Sequence, residues 1–357
     1  MSTYKVLVRP SGREFSVTEE QTVLEAALRA GITLPHGCKN GACGACKGKV
    51  LSGQVHHNPH VRVALTLEEE AQSQALFCCA HPHSDLVIEA RIADALDGVV
   101  PRKMPARIEH IEWAAADVAV LTVKLPATEQ LLFRAGQYVD FILPDGVRRS
   151  YSIASMPGAP GPLEFHIRHM PGGTFTDALF GLHKPAVKER AIIRLEGPLG
   201  TFYLREDSTA PIVLLASGTG FAPIKAIVET IFTKELNRDD PALGRAARSV
   251  VLYWGARTQA DLYLDALPRS WEQDQPNFRY VPVLSEPDAA WHGRTGFVHH
   301  AVMQDLPDLS AHQVYACGVP VMVQSAHRDF IRESRLLEEN FFSDAFVTSA
   351  DLATREP

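Results

Sequence analysis

Cys38, Cys43 and Cys46 stand in the run Cys38-Lys-Asn-Gly-Ala-Cys43-Gly-Ala-Cys46, and Cys78 follows after 31 intervening residues. A chain built this way must bend one loop sharply enough to converge three thiolates and bring a fourth from a distant segment. The C-x₄-C-x₂-C…C spacing is that of a four-thiolate [2Fe–2S] site. Gly37, Gly41 and Gly44 supply permissive backbone and N–H groups that can be aimed at the sulfurs, where they tune the cluster. A structural zinc site competes with this reading. Zinc sites usually pair cysteines as C-x₂-C…C-x₂-C, whereas here three ligands crowd together and one is remote. A disulfide framework belongs to short secreted chains, and this chain is long and opens on Met-Ser-Thr-Tyr-Lys without an apolar leader.

At 357 residues the chain is expected to hold two or three domains. It is 46% hydrophobic and 22% charged, enough apolar residue to fill a core in each domain. The net charge of −7 argues against a nucleic-acid partner. No apolar run approaches the ~18 residues of a membrane span. Reduced thiolates and the lack of an export signal predict a cytoplasmic protein. Cys79 and Cys317 are left over once four cysteines are assigned.

Three units are expected. Tyr4–Val8 and Arg13–Val17 read as strands joined at Pro10-Ser11-Gly12. Thr22 and Glu25 can close a capping box on a helix from Val23 to Ala30, stopped at Gly31. With Lys47–Leu51 and Asp85–Ala90 as further strands, residues 1–97 read as a β-grasp-like α+β unit. Residues 98–105, with Pro101 and Pro105, read as a linker. Short strands at Ala119–Leu125, Tyr138–Leu143, Arg149–Ala154, Leu163–Ile167 and Ala191–Glu196 predict an antiparallel barrel over 106–208. From 209 to 346 strand and helix alternate. Strands are expected at Ile212–Ala216, Val250–Tyr253, Tyr280–Leu284 and Val314–Ala316, and helices at Pro223–Leu236, Asp261–Leu267 and Pro320–Glu333. This is a doubly wound α/β unit with a parallel sheet. Residues 347–357 read as a polar tail.

The barrel and the α/β unit carry candidate sites. Arg149, Tyr151 and Ser152 lie on one strand. An arginine can fork onto a pyrophosphate, a tyrosine can stack on a flat ring, and Ser152 can hydrogen-bond a ring nitrogen. Taken alone, the same strand could be ordinary surface. Gly172-Gly173-Thr174-Phe175-Thr176 opens a short helix, where N–H donors can meet an anion. Ser217-Gly218-Thr219-Gly220-Phe221-Ala222-Pro223 follows a strand and opens a helix, although Pro223 breaks the full G-x-G-x-x-G fingerprint. Cys317-Gly318-Val319-Pro320 lies at the carboxyl end of a later strand, the ligand-binding edge of such sheets. His56, His57, His60, His81 and His83 are expected on solvated loops.

These motifs, in this order, resemble the ferredoxin–flavin–nicotinamide reductases that serve bacterial oxygenases and hydroxylases, such as the reductase components of benzoate dioxygenase, phenol hydroxylase and soluble methane monooxygenase. The resemblance spans Tyr4 to Phe346 and is greatest to reductases of CDP-6-deoxyhexulose dehydrase systems. It implies Cys38, Cys43, Cys46 and Cys78 as iron ligands, Cys79 being the neighbour. It implies Arg149, Tyr151 and Ser152 as the flavin motif, and Gly173, Thr174 and Thr176 as its pyrophosphate loop. Gly218, Thr219, Gly220 and Pro223 match the nicotinamide-nucleotide loop, and Arg257 and Asp261 its contacting strand end. Cys317 and Gly318 match the motif beside the nicotinamide, and Phe346 an aromatic that can lie over the flavin. Ser152 and Cys317 are thus the expected catalytic residues. Related NADPH-using enzymes carry an arginine where Glu286 stands, which implies NADH.

The implied circuit runs from NADH through FAD to a [2Fe–2S] cluster and out to a protein acceptor, since a flavin can take electrons in pairs and release them singly. The acceptor is expected to be an oxygenase or hydroxylase. A deoxysugar dehydrase is the alternative, and a regulatory module with a vestigial nucleotide site is a third reading.

Overall fold

The computed structural model describes residues 2–92, 101–242 and 244–348 and the backbone of 355–356. The first unit is a five-stranded sheet in the order Arg13–Thr18, Thr3–Arg9, Leu86–Glu89, Lys47–Ser52, Gln74–Leu76. The first two strands form the expected hairpin, and Thr3–Arg9 pairs in parallel with Leu86–Glu89. Alternation buries Val6, Val8, Phe15 and Val17 on one face, against which the helix Val23–Arg29 sets Leu24 and Ala27. The predicted capping box is present: Thr22 accepts from Glu25 N and Glu25 accepts from Thr22 N, both at 3.1 Å. Loss of such a cap generally costs about 1 kcal/mol.

The second unit is a six-stranded antiparallel sheet ordered Arg148–Ser152, Tyr138–Ile142, Ile192–Leu199, Arg102–Ala115, Val118–Lys124, Leu163–Arg168. The bond from Ala154 N to Glu164 O (2.8 Å) ties its two ends together and closes the barrel. Arg102–Pro105, expected in a linker, instead begin the strand that runs to Ala115. Residues 102–106 pair only with residues 193–197, Arg107 pairs with both Ile192 and Lys124, and residues 108–115 pair with residues 118–123. Pro105 therefore sits where the strand has one neighbour, and its missing N–H breaks no ladder. Residues 98–100 of the expected linker lie outside the described residues.

The third unit is an all-parallel sheet ordered Arg294–Thr295, Phe278–Leu284, Val250–Ala256, Ile212–Ser217, Gln313–Gly318, Phe341–Ala345. The strand order reverses between Ile212–Ser217 and Gln313–Gly318, which makes that edge the switch point where ligands bind. The expected helix Asp261–Leu267 is not formed. Gln259–Asp261 is a 3₁₀ turn in which Asp261 caps Thr258, and the α-helix is Ala266–Asp274. Leu262 and Tyr263 turn into the core between them, and Pro268, lacking an N–H, belongs in a first helical turn. The helix Phe221–Thr233 starts before Pro223, and Pro320–Glu333 forms as predicted. The helix Val298–Asp305 and the last strand, Phe341–Ala345, are additions to the sequence reading. Beyond them, Arg355–Glu356 pair antiparallel with His60–Val61.

The three units are in contact. His36 N donates to Thr201 Oγ1 (2.9 Å) and Thr201 Oγ1 donates to His36 O (3.0 Å), joining the first unit to the barrel. Arg91 donates to Glu339 O (2.6 Å) and lies over the Phe342 ring, joining the first unit to the third. No helix among the described residues is long and apolar enough to cross a membrane.

Candidate functional site

The cysteine loop leaves the helix Val23–Arg29 and ends at Lys47, where the sheet resumes. Its thiols fall into two pairs. Cys38 N donates to Cys43 Sγ (3.4 Å) and Cys43 N to Cys38 Sγ (3.3 Å). Cys78 N donates to Cys46 Sγ (3.4 Å). The bond from the Cys43 thiol, helped by the N–H groups of Asn40, Ala42 and Cys43, outweighs burial and pulls the Cys38 thiol down to about 6. The same bonding, with burial, pushes the Cys43 thiol well up, and the bond to Cys46 pushes Cys78 up. Two thiol pairs in a cradle of N–H donors suit two irons, one per pair. Cys79 Sγ lies 3.7 Å from Cys78 Sγ, outside both pairs.

On the barrel, Arg149 donates to Arg148 O (2.9 Å) and has no carboxylate partner among the described residues. Ser152 is buried directly across the ladder from Tyr138. Tyr151 turns its ring edge toward Phe141 (centroids 4.9 Å), and burial raises its phenol. Gly173 caps the helix Thr174–Leu179. The Thr176 hydroxyl is engaged within the loop, donating to Met170 O (2.9 Å), so it holds the loop's shape.

At the switch point, Gly218–Gly220 form a 3₁₀ turn that runs into the helix Phe221–Thr233. A Cβ on Gly220 would fall 2.2 Å from Cys317 O, and one on Gly318, whose φ is +141°, would fall 2.0 Å from Ser217 Oγ. Only glycine lets these two loops touch. Cys317 is fully buried beneath them, and burial pushes its thiol well up, so it is a neutral thiol and not a nucleophile. Phe346 N donates to Gly318 O (2.8 Å), which ties the closing segment to the loop that follows Cys317. Thr219 and Pro223 lie in the same turn and helix start. Arg257 is exposed, 4.0 Å from Asp261. Asp261, expected to contact the nucleotide, accepts from Thr258 N (3.0 Å), and that bond with the Arg168 and Arg257 charges holds its carboxyl low against burial.

Arg168 and Asp344 are among the residues that escaped the sequence reading. Arg168 ends a barrel strand, yet its guanidinium carbon is 3.6 Å from where a Gly218 side chain would start. Its Nε and one Nη are buried without a hydrogen bond among the described residues, although Asp117 and Asp261 stand 3.3 and 3.9 Å away. Buried unsatisfied guanidinium donors beside a glycine turn suit a phosphate. Asp344, opposite Cys317 in the ladder, is buried, and burial and Cys38 raise its carboxyl to about 7. In this closing segment the sequence reading singles out only Phe346. The histidines also differ from expectation: His60 is buried at 1% exposure, and His56, His57 and His81 sit on short strands.

The cysteine loop, the flavin-type strand and the nucleotide turns define an iron–sulfur flavoprotein reductase. Comparison with known proteins agrees in all three units. Residues 6–83 match the 2Fe-2S iron-sulfur cluster binding domain, 105–203 the oxidoreductase FAD-binding domain and 214–328 the oxidoreductase NAD-binding domain. The chain is 41% identical to the CDP-6-deoxy-L-threo-D-glycero-4-hexulose-3-dehydrase reductase of Yersinia pseudotuberculosis serotype I (strain IP32953), over 96% of this chain and 98% of that one. It is 34% identical to reductase component 1 of terephthalate 1,2-dioxygenase from Comamonas sp, over 97% and 98%. Among solved structures it resembles the Amycolatopsis cytochrome P450 reductase GcoB, with a TM-score of 0.70 at 33% identity, covering 97% of this chain and 99% of that one. The chain belongs to this family of three-domain oxidoreductases, with [2Fe–2S], FAD and NAD as cofactors.

Proposed function

We propose that this chain takes electrons from NADH and delivers them singly to a separate oxygenase or hydroxylase. When bound, the nicotinamide supplies hydride, FAD converts electron pairs to single electrons, and the cluster carries one at a time. The observation that carries this reading is the contact of the three candidate sites. The Ser152 strand adjoins Tyr138, Tyr138 bonds the cysteine loop, and Cys317 lies in register with Asp344 beside that loop.

The chain's own residues bind and orient. Arg168 and the Gly218–Gly220 turn would hold the nicotinamide nucleotide's pyrophosphate. Arg149 and the Gly173 loop would hold that of the flavin. Ser152 would hydrogen-bond the flavin ring, and Cys317 and Phe346 would set the nicotinamide against it. Cys38 with Cys43, and Cys46 with Cys78, would each hold one iron.

A second acceptor has its own support. The 41% identity to the Yersinia dehydrase reductase favours a hexulose dehydrase as partner. The six cysteines, none in a disulfide among the described residues, support a reducing, cytoplasmic setting. The test is reconstitution. The purified protein should show flavin and [2Fe–2S] bands that NADH bleaches, and should support turnover by an added oxygenase more than by an added dehydrase. The reverse order assigns the dehydrase. Bands that NADH leaves unchanged would return the chain to the regulatory-module reading.

A further inference from the structure

Tyr138 belongs to no motif that the sequence reading assigned. It begins the strand Tyr138–Ile142, and the ladder sets it opposite Ser152, so the two side chains share one face of the barrel. The residue is 7% exposed, and its hydroxyl crosses to the first unit, donating to Gly37 O at 3.0 Å. The amide that accepts this bond joins Gly37 to Cys38. The N–H of that same amide donates to Cys43 Sγ at 3.4 Å. One unbroken chain therefore leads from the phenol, through a single peptide group, to a sulfur expected to bind iron.

The surroundings fix this chain in place. A Cβ on Gly37 would meet Asp344 Oδ1 at 3.2 Å and Cys43 Sγ at 3.4 Å, so the strap has no room to shift. Thr201, from the same unit as Tyr138, grips the preceding residue, His36, by N–H and C=O. Hydrogen bonds in series through an amide polarise one another, so the bond at the carbonyl strengthens the N–H as a donor. A stronger N–H···S bond favours the more negative, reduced cluster, as donors to sulfur generally do.

We propose that Tyr138 is a positioning residue that couples the flavin barrel to the iron–sulfur loop: its hydroxyl sets the hydrogen bond at Cys43 Sγ, and its ring bridges the Ser152 face to that sulfur. The proposal rests on the reading of the chain as a flavin-to-cluster reductase. In the step concerned, reduced flavin loses one electron and the oxidised cluster gains one. Tyr138 is neither oxidised nor deprotonated, since burial and Asp344 hold its phenol well above the ordinary range.

The test uses Tyr138→Phe, which removes only the hydroxyl, and Tyr138→Leu, which also removes the ring, in the full chain with flavin and iron content measured. An EPR-monitored redox titration should show the Phe variant with a lower cluster potential. The equilibrium for cluster reduction should fall about threefold to tenfold, a tenfold change being 59 mV for one electron. In stopped flow, reduction of the cluster should slow by a similar factor, and more in the Leu variant, while reduction of the flavin by NADH keeps its wild-type rate. A wild-type potential in the Phe variant overturns the proposal even if the Leu variant fails to fold. Wild-type protein that lacks the flavin or cluster bands would instead overturn the reading beneath it.

Discussion

Cys78 and Cys79 are adjacent thiols in different surroundings. Cys78 faces Cys46, whereas Cys79 is held by its backbone, with its N–H on Leu76 O (2.8 Å) and its C=O accepting from Asn58 N (2.9 Å). Cys78→Ser should abolish the reduced-state EPR signal and most of the bound iron, and Cys79→Ser should keep both. The opposite pattern would exchange the two roles. Arg168 is the matching case on the nucleotide side. Its buried Nε and one Nη make no hydrogen bond among the described residues, which leaves them open to an added anion. Arg168→Gln should raise the KM for NADH about tenfold, a loss of about 1.4 kcal/mol of binding, with kcat little changed. A fall in kcat at constant KM would show that it acts on the reaction and not on binding. Cys317 is a neutral buried thiol. Cys317→Ala should slow flavin reduction in stopped flow while flavin and cluster stay bound, because small displacements at reacting atoms cost rate heavily. An unchanged rate would leave it a packing residue.

The strand Leu163–Arg168 shows how one element serves two faces. Phe165 and Ile167 fill the barrel core, and Glu164, His166 and Arg168 alternate with them toward the nucleotide unit. Tyr263 OH bonds His166 Nδ1 (2.7 Å), His166 Nε2 bonds Glu164 (2.7 Å), and Lys225 stands 3.3 Å from Glu164. Burial keeps His166 neutral, so Nε2–H donates to the carboxylate and Nδ1 accepts from the tyrosine. Burial alone would raise the Glu164 carboxyl, but the bond from His166 and the Lys225 charge outweigh it and pull the pKa down to about 2. A carboxyl depressed on folding contributes stability above its ordinary pKa and loses it as pH falls through the folded value. Glu164→Gln should therefore be less stable than wild type at pH 7 by up to about 3 kcal/mol. The difference should close between pH 4.5 and 2. Urea denaturation of both proteins across that range checks it, and taking the difference cancels any loss of cluster in acid. A gap that is constant with pH would remove the ion pair from the explanation.

For the whole molecule, nucleotide choice depends on which charges reach the sheet edge. Glu286 follows the strand Phe278–Leu284, and its N–H bonds Arg257 O (2.8 Å). Arg294, a cation of the kind a 2′-phosphate requires, is taken up by Asp305 and by Gln304 (3.1 Å). Arg257 remains exposed near Asp261. A carboxylate where a phosphate would sit acts by repulsion. The kcat/KM for NADH with ferricyanide should exceed that for NADPH by about tenfold or more, and Glu286→Arg should narrow the gap by a similar factor. Equal use of both nucleotides by the unaltered protein would sink this reading of Glu286.

The cysteine spacing, the barrel strands and the glycine turns were legible because each is a local rule. Thiolate spacing fixes a cluster loop, period-two alternation marks a strand, and a glycine pair between strand and helix marks a phosphate turn. The strand Arg102–Ala115 was not legible at its start, since two prolines imitate a linker unless it is known that Pro105 has a neighbour on one side only. Arg168, Asp344 and Tyr138 were hidden for a different reason. Each lies in one unit and acts at another, so its role depends on which surfaces meet: Arg168 at Gly218, Asp344 at Gly37, Tyr138 at the Gly37 carbonyl. Sequence by itself determined three cofactor-binding units and their order. The tertiary structure alone decided how they are wired together, because hydrogen bonds between residues as far apart as Gly37 and Tyr138 leave no periodicity or spacing for a linear reading to detect.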